Sequence, residues 1–254
     1  IKNIGVEGLS NHITGLENDA PMPSKKKYFK PSETYKPTVF DSNLSDSKIW
    51  EKSGIWKPSV FGDIMDMPTK DTFTLEALSD NSFHIAVCGN AGKISAVSDG
   101  IAVYYTKVPV KDDFIFSASM KINNYFLNDQ VSFGLMVRDD MYIDKKMPDV
   151  LGDYVAAAPL NLTYKDQAWS CFARKNSELM QGTVTGRELK PGDTVEVCIK
   201  SNPDGYAVKL GDGEFLTGGF DFKLTAVDPK HVYAGFFVSR NADVTFTDIE
   251  YTEN

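Results

Sequence analysis

The chain has 254 residues, of which 42% are hydrophobic and 24% charged, and its 27 Lys and Arg face 35 Asp and Glu for a net charge of −8. That balance argues against a general attraction to nucleic acid or anionic lipid, and no apolar run reaches the ~20 residues of a membrane-spanning helix. Three cysteines, Cys88, Cys171 and Cys198, each lie in an apolar run; an odd number cannot close a disulfide framework, so buried free thiols are expected.

From Ile1 to Pro37 the sequence is polar, with Pro21, Pro23, Pro31 and Pro37 around a Lys25-Lys26-Lys27 run. A linker or draped extension is expected, with the lysines a solvated cluster or a contact patch for an acidic polymer. A start at Ile1 instead of Met suggests a piece processed or excised from something longer. Residues 38–254 read as one β domain. Near its start, a short strand at Val39-Phe40 is expected, then a loop that lays Trp50 and Trp56 over the domain. Pro58 and Gly62 break any helix there, and Trp56 is either a plug at the core edge or a platform for a ligand.

A regular series of strand signals follows, at residues 72–78, 83–88, 100–107, 114–123, 130–138, 154–158, 166–175, 194–201, 206–210, 214–217, 231–240 and 244–252. Turn residues separate them: Asp99-Gly100, Asp204-Gly205 and Asp212-Gly213 tolerate positive φ, and Lys190-Pro191-Gly192-Asp193 launches the next strand. No stretch of a dozen residues carries a helical stripe. The expected fold is all-β, a two-sheet antiparallel β-sandwich of jelly-roll type with an irregular N-terminal extension.

Two strands share an unusual plan. In Asn128–Asp140, Val131, Phe133, Leu135 and Val137 alternate with Ser132, Gly134, Met136 and Arg138; in the run from Tyr233, Ala234, Phe236 and Val238 alternate with Tyr233, Gly235, Phe237 and Ser239. One face of each is core. The second is expected to receive a ligand, with Gly134 and Gly235 flooring one groove in a concave sheet and Arg138 and Arg240 at its ends. The last two strands are expected to turn at Asn241-Ala242-Asp243.

The runs Gly-Lys-Ile-Ser-x-x-x-Asp-Gly-Ile-Ala-Val-Tyr-Tyr-Thr from Gly92, Asn-Asp-Gln-Val-Ser-Phe-Gly-Leu-Met-Val-Arg-Asp, Gly-Asp-Tyr-Val-Ala-Ala from Gly152 and Tyr-Ala-Gly-Phe-Phe-Val-Ser-Arg-Asn-Ala-Asp-Val-Thr-Phe resemble the concanavalin-A-like (laminin-G-like) jelly-roll modules of secreted bacterial polysaccharide-degrading proteins, the pectate-lyase-associated type among them. The resemblance spans roughly Asp71 to Thr252. It implies a sandwich that recognises a glycan, an extracellular or cell-surface location, and neighbouring domains in a larger chain.

The residue types bear on four chemistries. Retaining glycanases need two carboxylates projecting from one face, and no Glu-x-Asp-x-x-Glu run occurs. A lyase acting on an acidic glycan needs a Tyr or His base beside Arg and Gln, types that Arg138, Arg240, Tyr154, Gln130 and His231 supply without a diagnostic spacing. The three histidines, His12, His84 and His231, show no ligand spacing for a transition metal. Sandwich glycan modules resemble one another in carrying a structural calcium near the first and last strands, for which Asp248 and Asp41 are the candidate pair against the plainer reading as surface carboxylates.

Glycan binding needs planar aromatic faces flanked by fixed polar groups. Trp169 serves either as core or as platform. Tyr104 and Tyr105 point oppositely, so one reaches a sheet face. The candidate ligand-binding set is Arg138, Trp169, Tyr154, Arg174, Arg240, Tyr104 and Phe237, the arginines because guanidinium pairs bidentately with a uronate carboxylate. The expectation is a non-catalytic carbohydrate-binding module that recognises a plant or other cell-wall polysaccharide, needing no cofactor. The alternatives are a jelly-roll lyase or hydrolase and a structural or adhesion spacer.

Overall fold

The computed structural model describes residues 55–64, 72–126, 130–140, 152–161, 170–184 and 189–253. These residues form fourteen strands and two antiparallel sheets. The strands are β1 (Lys57–Gly62), β2 (Phe73–Ser79), β3 (Ser82–Val87), β4 (Lys93–Ile94), β5 (Asp99–Pro109), β6 (Phe114–Tyr125), β7 (Val131–Arg138), β8 (Tyr154–Asn161), β9 (Ser170–Lys175), β10 (Glu178–Val184), β11 (Thr194–Asn202), β12 (Gly205–Leu210), β13 (His231–Ser239) and β14 (Ala242–Glu253). The larger sheet runs β1-β5-β13-β7-β8-β9-β10, with β4 added beside β5; the smaller runs β12-β11-β6-β14-β3-β2. This is the two-sheet antiparallel sandwich expected from the sequence.

The core lies between the sheets and is built by alternation. Ala234, Phe236 and Val238 of β13 and Phe133, Leu135 and Val137 of β7 face Phe83, Ile85, Phe116, Met120, Val244 and Phe246 of the smaller sheet, all buried. Phe236 is the hub of an aromatic cluster, with ring centroids 5.0 Å from Trp56, 5.0 Å from Phe83, 5.5 Å from Tyr104 and 5.2 Å from Phe246. Trp56 is thereby placed in the core and not on a ligand face.

Four local expectations are corrected. The segment after Trp56 is strand β1 in spite of Pro58, because β1 is the edge of the larger sheet, where a proline costs no ladder hydrogen bond on its outer side. Asp99-Gly100 is not a turn but the start of β5, paired with β4. Strand β10 was not expected, and residues 214–217 contribute only an isolated bridge from Leu216 to Val208. The turn from β13 to β14 falls one residue earlier than expected, at Arg240-Asn241, with φ of 55° and 37°, and it carries the chain from the larger sheet to the smaller without pairing the two strands.

Gly134 and Gly235 do not floor a groove. A Cβ on Gly134, whose φ is +150°, would lie 2.4 Å from the Ala157 carbonyl oxygen and 2.7 Å from Ala158 Cβ, because β8 presses against β7 beside a break in its register. On Gly235 it would lie 2.7 Å from the Tyr104 carbonyl oxygen. Both glycines exist for close approach of neighbouring strands.

Candidate functional site

The outward side of the larger sheet holds a second apolar layer: Phe61, Ile94, Ile101, Val103, Tyr105, Met136, Tyr154, Ala156, Phe172, Tyr233 and Phe237, among others, none more than 9% exposed. Across this layer the strand register sets up one transverse row. Lys107 is opposite Tyr233, Tyr233 opposite Arg138, Arg138 opposite Tyr154, and Tyr154 opposite Arg174. Directly opposed residues share a face, so cations and phenols alternate over five strands.

The row is held by stacking and hydrogen bonds. The Arg138 guanidinium carbon lies 4.8 Å from the Tyr154 ring centroid and 5.9 Å from that of Phe61, and Arg174 lies 5.7 Å from Tyr154. Arg138 Nε donates to the Asp140 carbonyl at 3.0 Å and Nη1 to Met136 Sδ at 3.3 Å. Arg174 donates through Nε and Nη2 to the two Asp99 carboxylate oxygens at 2.9 and 2.7 Å, and further to the carbonyls of Ser95, Ala96 and Ser177. Arg174 and Asp99 are both fully buried. This fork pins the segment between β4 and β5 onto β9.

From Arg138 to Arg174 the row is shut, and this sets its chemistry, whereas Lys107 at its other end is exposed. Arg138 is 2% exposed, and Arg174 and Tyr154 are not exposed at all. Burial pushes the Tyr154 phenol far above its ordinary value, the Asp99 charge adds to that, and the two guanidiniums offset only part. Burial works against the Arg174 charge, but Tyr154 and Asp99 outweigh it and hold the guanidinium above its ordinary value. Among the described residues the hydroxyl of Tyr154 and Nη2 of Arg138 have no hydrogen-bond partner of normal geometry.

The sequence-derived candidates therefore separate. Arg138, Tyr154 and Arg174 are brought together, but as an internal layer with no face left for a ligand chain. Phe237 is fully buried in the same layer, beside Gly134. Tyr104 is a correction: it points into the inter-sheet core against Phe83 and Phe236, and its neighbour Tyr105 takes the outward side. Trp169 and Asp41 lie outside the described residues. Asp248 is exposed, with φ of 51°, where β14 breaks register with β6. Among the described residues no group of three His, Cys, Asp or Glu is placed to hold a metal.

Of the placed ligand-binding candidates Arg240 alone reaches the surface, at the turn between β13 and β14. Its Nη1 donates to Gln130 Oε1 and its Nε to Asn90 Oδ1 at 3.3 Å. Asn241 Nδ2 donates to the same Asn90 oxygen at 3.2 Å, and its backbone N–H to the Gly89 carbonyl at 3.0 Å. The Phe126 N–H donates to the Asn241 carbonyl at 2.9 Å, which sets Phe126, 69% exposed, beside the turn. Gln130 has φ of 73°, so three non-glycine residues on this rim adopt left-handed backbone. The sequence reading named Asn241 only as a turn residue and did not single out Phe126 or Asn90.

Comparison with known proteins follows the same lines. Residues 69–167 match the pectate disaccharide-lyase N-terminal domain family. The chain is 29% identical to pectate lyase L of Thermoclostridium stercorarium over 175 residues, covering 68% of this chain and 13% of that protein. It is 23% identical to the pectate disaccharide-lyase of Dickeya chrysanthemi over 246 residues, covering 84% of this chain and 32% of that one. Among solved structures, the carbohydrate-binding module CBM66 of Bacillus subtilis aligns with a TM-score of 0.42 at 12% identity, over 68% of this chain and 86% of that one. The chain is thus homologous to pectate-lyase-associated proteins and spans well under half the length of those relatives.

Proposed function

We propose that this chain is a non-catalytic glycan-binding module of a secreted, multidomain pectate-lyase-type protein, acting where a polymer too large to enter a cell is met. The observation that carries the reading is the match of the sandwich, from β2 through β8, to the N-terminal domain of pectate disaccharide-lyases. The geometry supports its non-catalytic half. A lyase base must reach its proton and hold a pKa near the working pH, whereas the Tyr154 phenol is closed to solvent and pushed far up.

Affinity electrophoresis against pectin, polygalacturonate, hemicelluloses and β-glucans tests binding. Retarded migration on at least one polymer is expected, with no ultraviolet absorbance from unsaturated product. Free migration on every polymer would remove the reading. A spacer role is favoured by one observation, the internal satisfaction of Arg174 and burial of Arg138, and that reading gains if all polymers fail.

A further inference from the structure

We propose that the rim formed by Asn90, Phe126, Gln130, Arg240 and Asn241 is the glycan site, and that it takes the terminal residue of an acidic chain and not the chain's interior. The proposal rests on the glycan-binding reading above and adds the site, the charge of the ligand and the mode of contact.

Three observations lead there. The first is exposure. The aromatic residues of the outward layer on the larger sheet are buried, so they offer no ring to a sugar, whereas Phe126 stands 69% exposed at the end of β6. A solvent-facing ring beside fixed amides is the arrangement that packs on a sugar's C–H face while hydrogen-bonding its hydroxyls.

The second is order. Arg240, Asn241 and Gln130 hold left-handed backbone that glycine would adopt more readily. Yet each carries a side chain tied into one hydrogen-bonded set: Arg240 to Gln130 and Asn90, and Asn241 to Asn90. Side chains retained at such positions cluster where a function uses them.

The third is charge. Arg240 is oriented by two neutral amide oxygens, on Nε and Nη1, and no carboxylate among the described residues pairs with it, in a chain of net charge −8. Its Nη2 edge is left for an acceptor from outside. The complementary group is a carboxylate, which guanidinium binds with charge assistance.

The mode follows from position. The rim gathers the end of β6 and the residues just after β3 at the β13–β14 turn. It sits at a strand end, not along a sheet face. A tip of five side chains contacts one sugar ring and a neighbour, so chain ends are what it counts.

The test is calorimetric titration of the whole chain with trigalacturonate, long polygalacturonate and its carboxyl-reduced form. Equal affinity per chain end for trimer and polymer is expected, with binding of the reduced form lost. Phe126→Ala and Arg240→Asn should each weaken trimer binding about tenfold or more, with the thermal midpoint held, since Phe126 is exposed and Asn tolerates left-handed backbone. Polymer binding in proportion to mass would overturn end recognition. Equal binding of the reduced form would overturn the anion contact. Full affinity in both variants would move the site elsewhere, with the glycan-binding reading intact. Failure of every polymer in the electrophoresis panel removes both.

Discussion

Replacing Asp99 by Ala tests whether the Arg174 fork holds the outward layer together. The substitution removes the acceptors of two hydrogen bonds, at 2.9 and 2.7 Å, from a guanidinium with no exposed surface. Three carbonyls, of Ser95, Ala96 and Ser177, remain on Arg174, so the charge keeps hydrogen bonds but loses its counter-ion. Breaking a buried pair by removing one partner costs roughly 3–5 kcal/mol, and the surviving carbonyls place the expected loss near the lower end, about 3 kcal/mol. For a domain of this size that lowers the melting midpoint by about 6–12 °C. Urea unfolding at neutral pH gives the number directly, from a lower midpoint at unchanged slope. The double variant Asp99→Leu with Arg174→Met should recover much of the loss, since an apolar pair replaces two desolvated charges. A single-variant loss below about 1 kcal/mol, the worth of a solvent-exposed pair, would refute the sealed-layer argument.

Other predictions follow from packing and titration. Gly134→Ala should cost about 3 kcal/mol or more, because the new Cβ meets β8 backbone at 2.4 Å and the φ is one that alanine avoids; urea unfolding again checks it. Phe236→Ala should cost about 3–5 kcal/mol by emptying the centre of the aromatic cluster, and hydrogen exchange should show the loss on both sheets. Of the three thiols expected to be buried, Cys88 is exposed, so in the native protein a thiol reagent should label Cys88 alone. Burial pushes the Cys171 and Cys198 thiols up to about 12 and about 11, and both should react only after unfolding. Burial would raise the Asp228 carboxyl, but the Lys230 N–H, His231 and Lys107 outweigh it and hold it below its ordinary value. Its contribution is therefore present above the unfolded-state value and lost as the pH falls through the folded one; Asp228→Asn should remove that part of the acid dependence, about 1 kcal/mol or less for so exposed a cluster.

Much of the fold was legible because alternation survives in single strands. The runs that became β5, β6, β7, β13 and β14 each carry it, and the parity of Tyr104 and Tyr105 was readable although not which of the two faced the core. Alternation does not report what covers the second side. In β7 both faces are buried, and Ser132, Gly134, Met136 and Arg138 read as a ligand surface because small and polar residues are also what a covered outer layer accepts. The Arg174–Asp99 pair joins residues 75 apart, and the row from Lys107 to Arg174 exists only through the register of five strands. Strands β4 and β10 escaped for a different reason. One is two residues long, and the other has Gln181 and Gly182 where apolar residues would announce it.

The two arginines paired in the sequence reading end in opposite settings, Arg138 buried and Arg240 partly exposed. Arg138 and Arg240 both follow alternating strands of one plan. At Arg138 the chain continues through Asp139 and Asp140, whose backbone folds back so that the Asp140 carbonyl takes Nε, and the guanidinium lies over the Tyr154 ring. At Arg240 the strand reverses in two residues, the side chain leaves the sheet, and its partners are amides on two other loops. A guanidinium in the first setting stiffens the layer, and removing it costs stability. In the second, on the proposed rim, its charge remains available, and removing it is expected to cost affinity. Arg138→Met and Arg240→Asn should therefore separate cleanly: the first lowers the urea midpoint by an amount on the order of 2–3 kcal/mol with glycan affinity per folded molecule retained, and the second leaves the midpoint and loses the affinity. Equal loss of stability in both would return Arg240 to a structural role and take the rim with it.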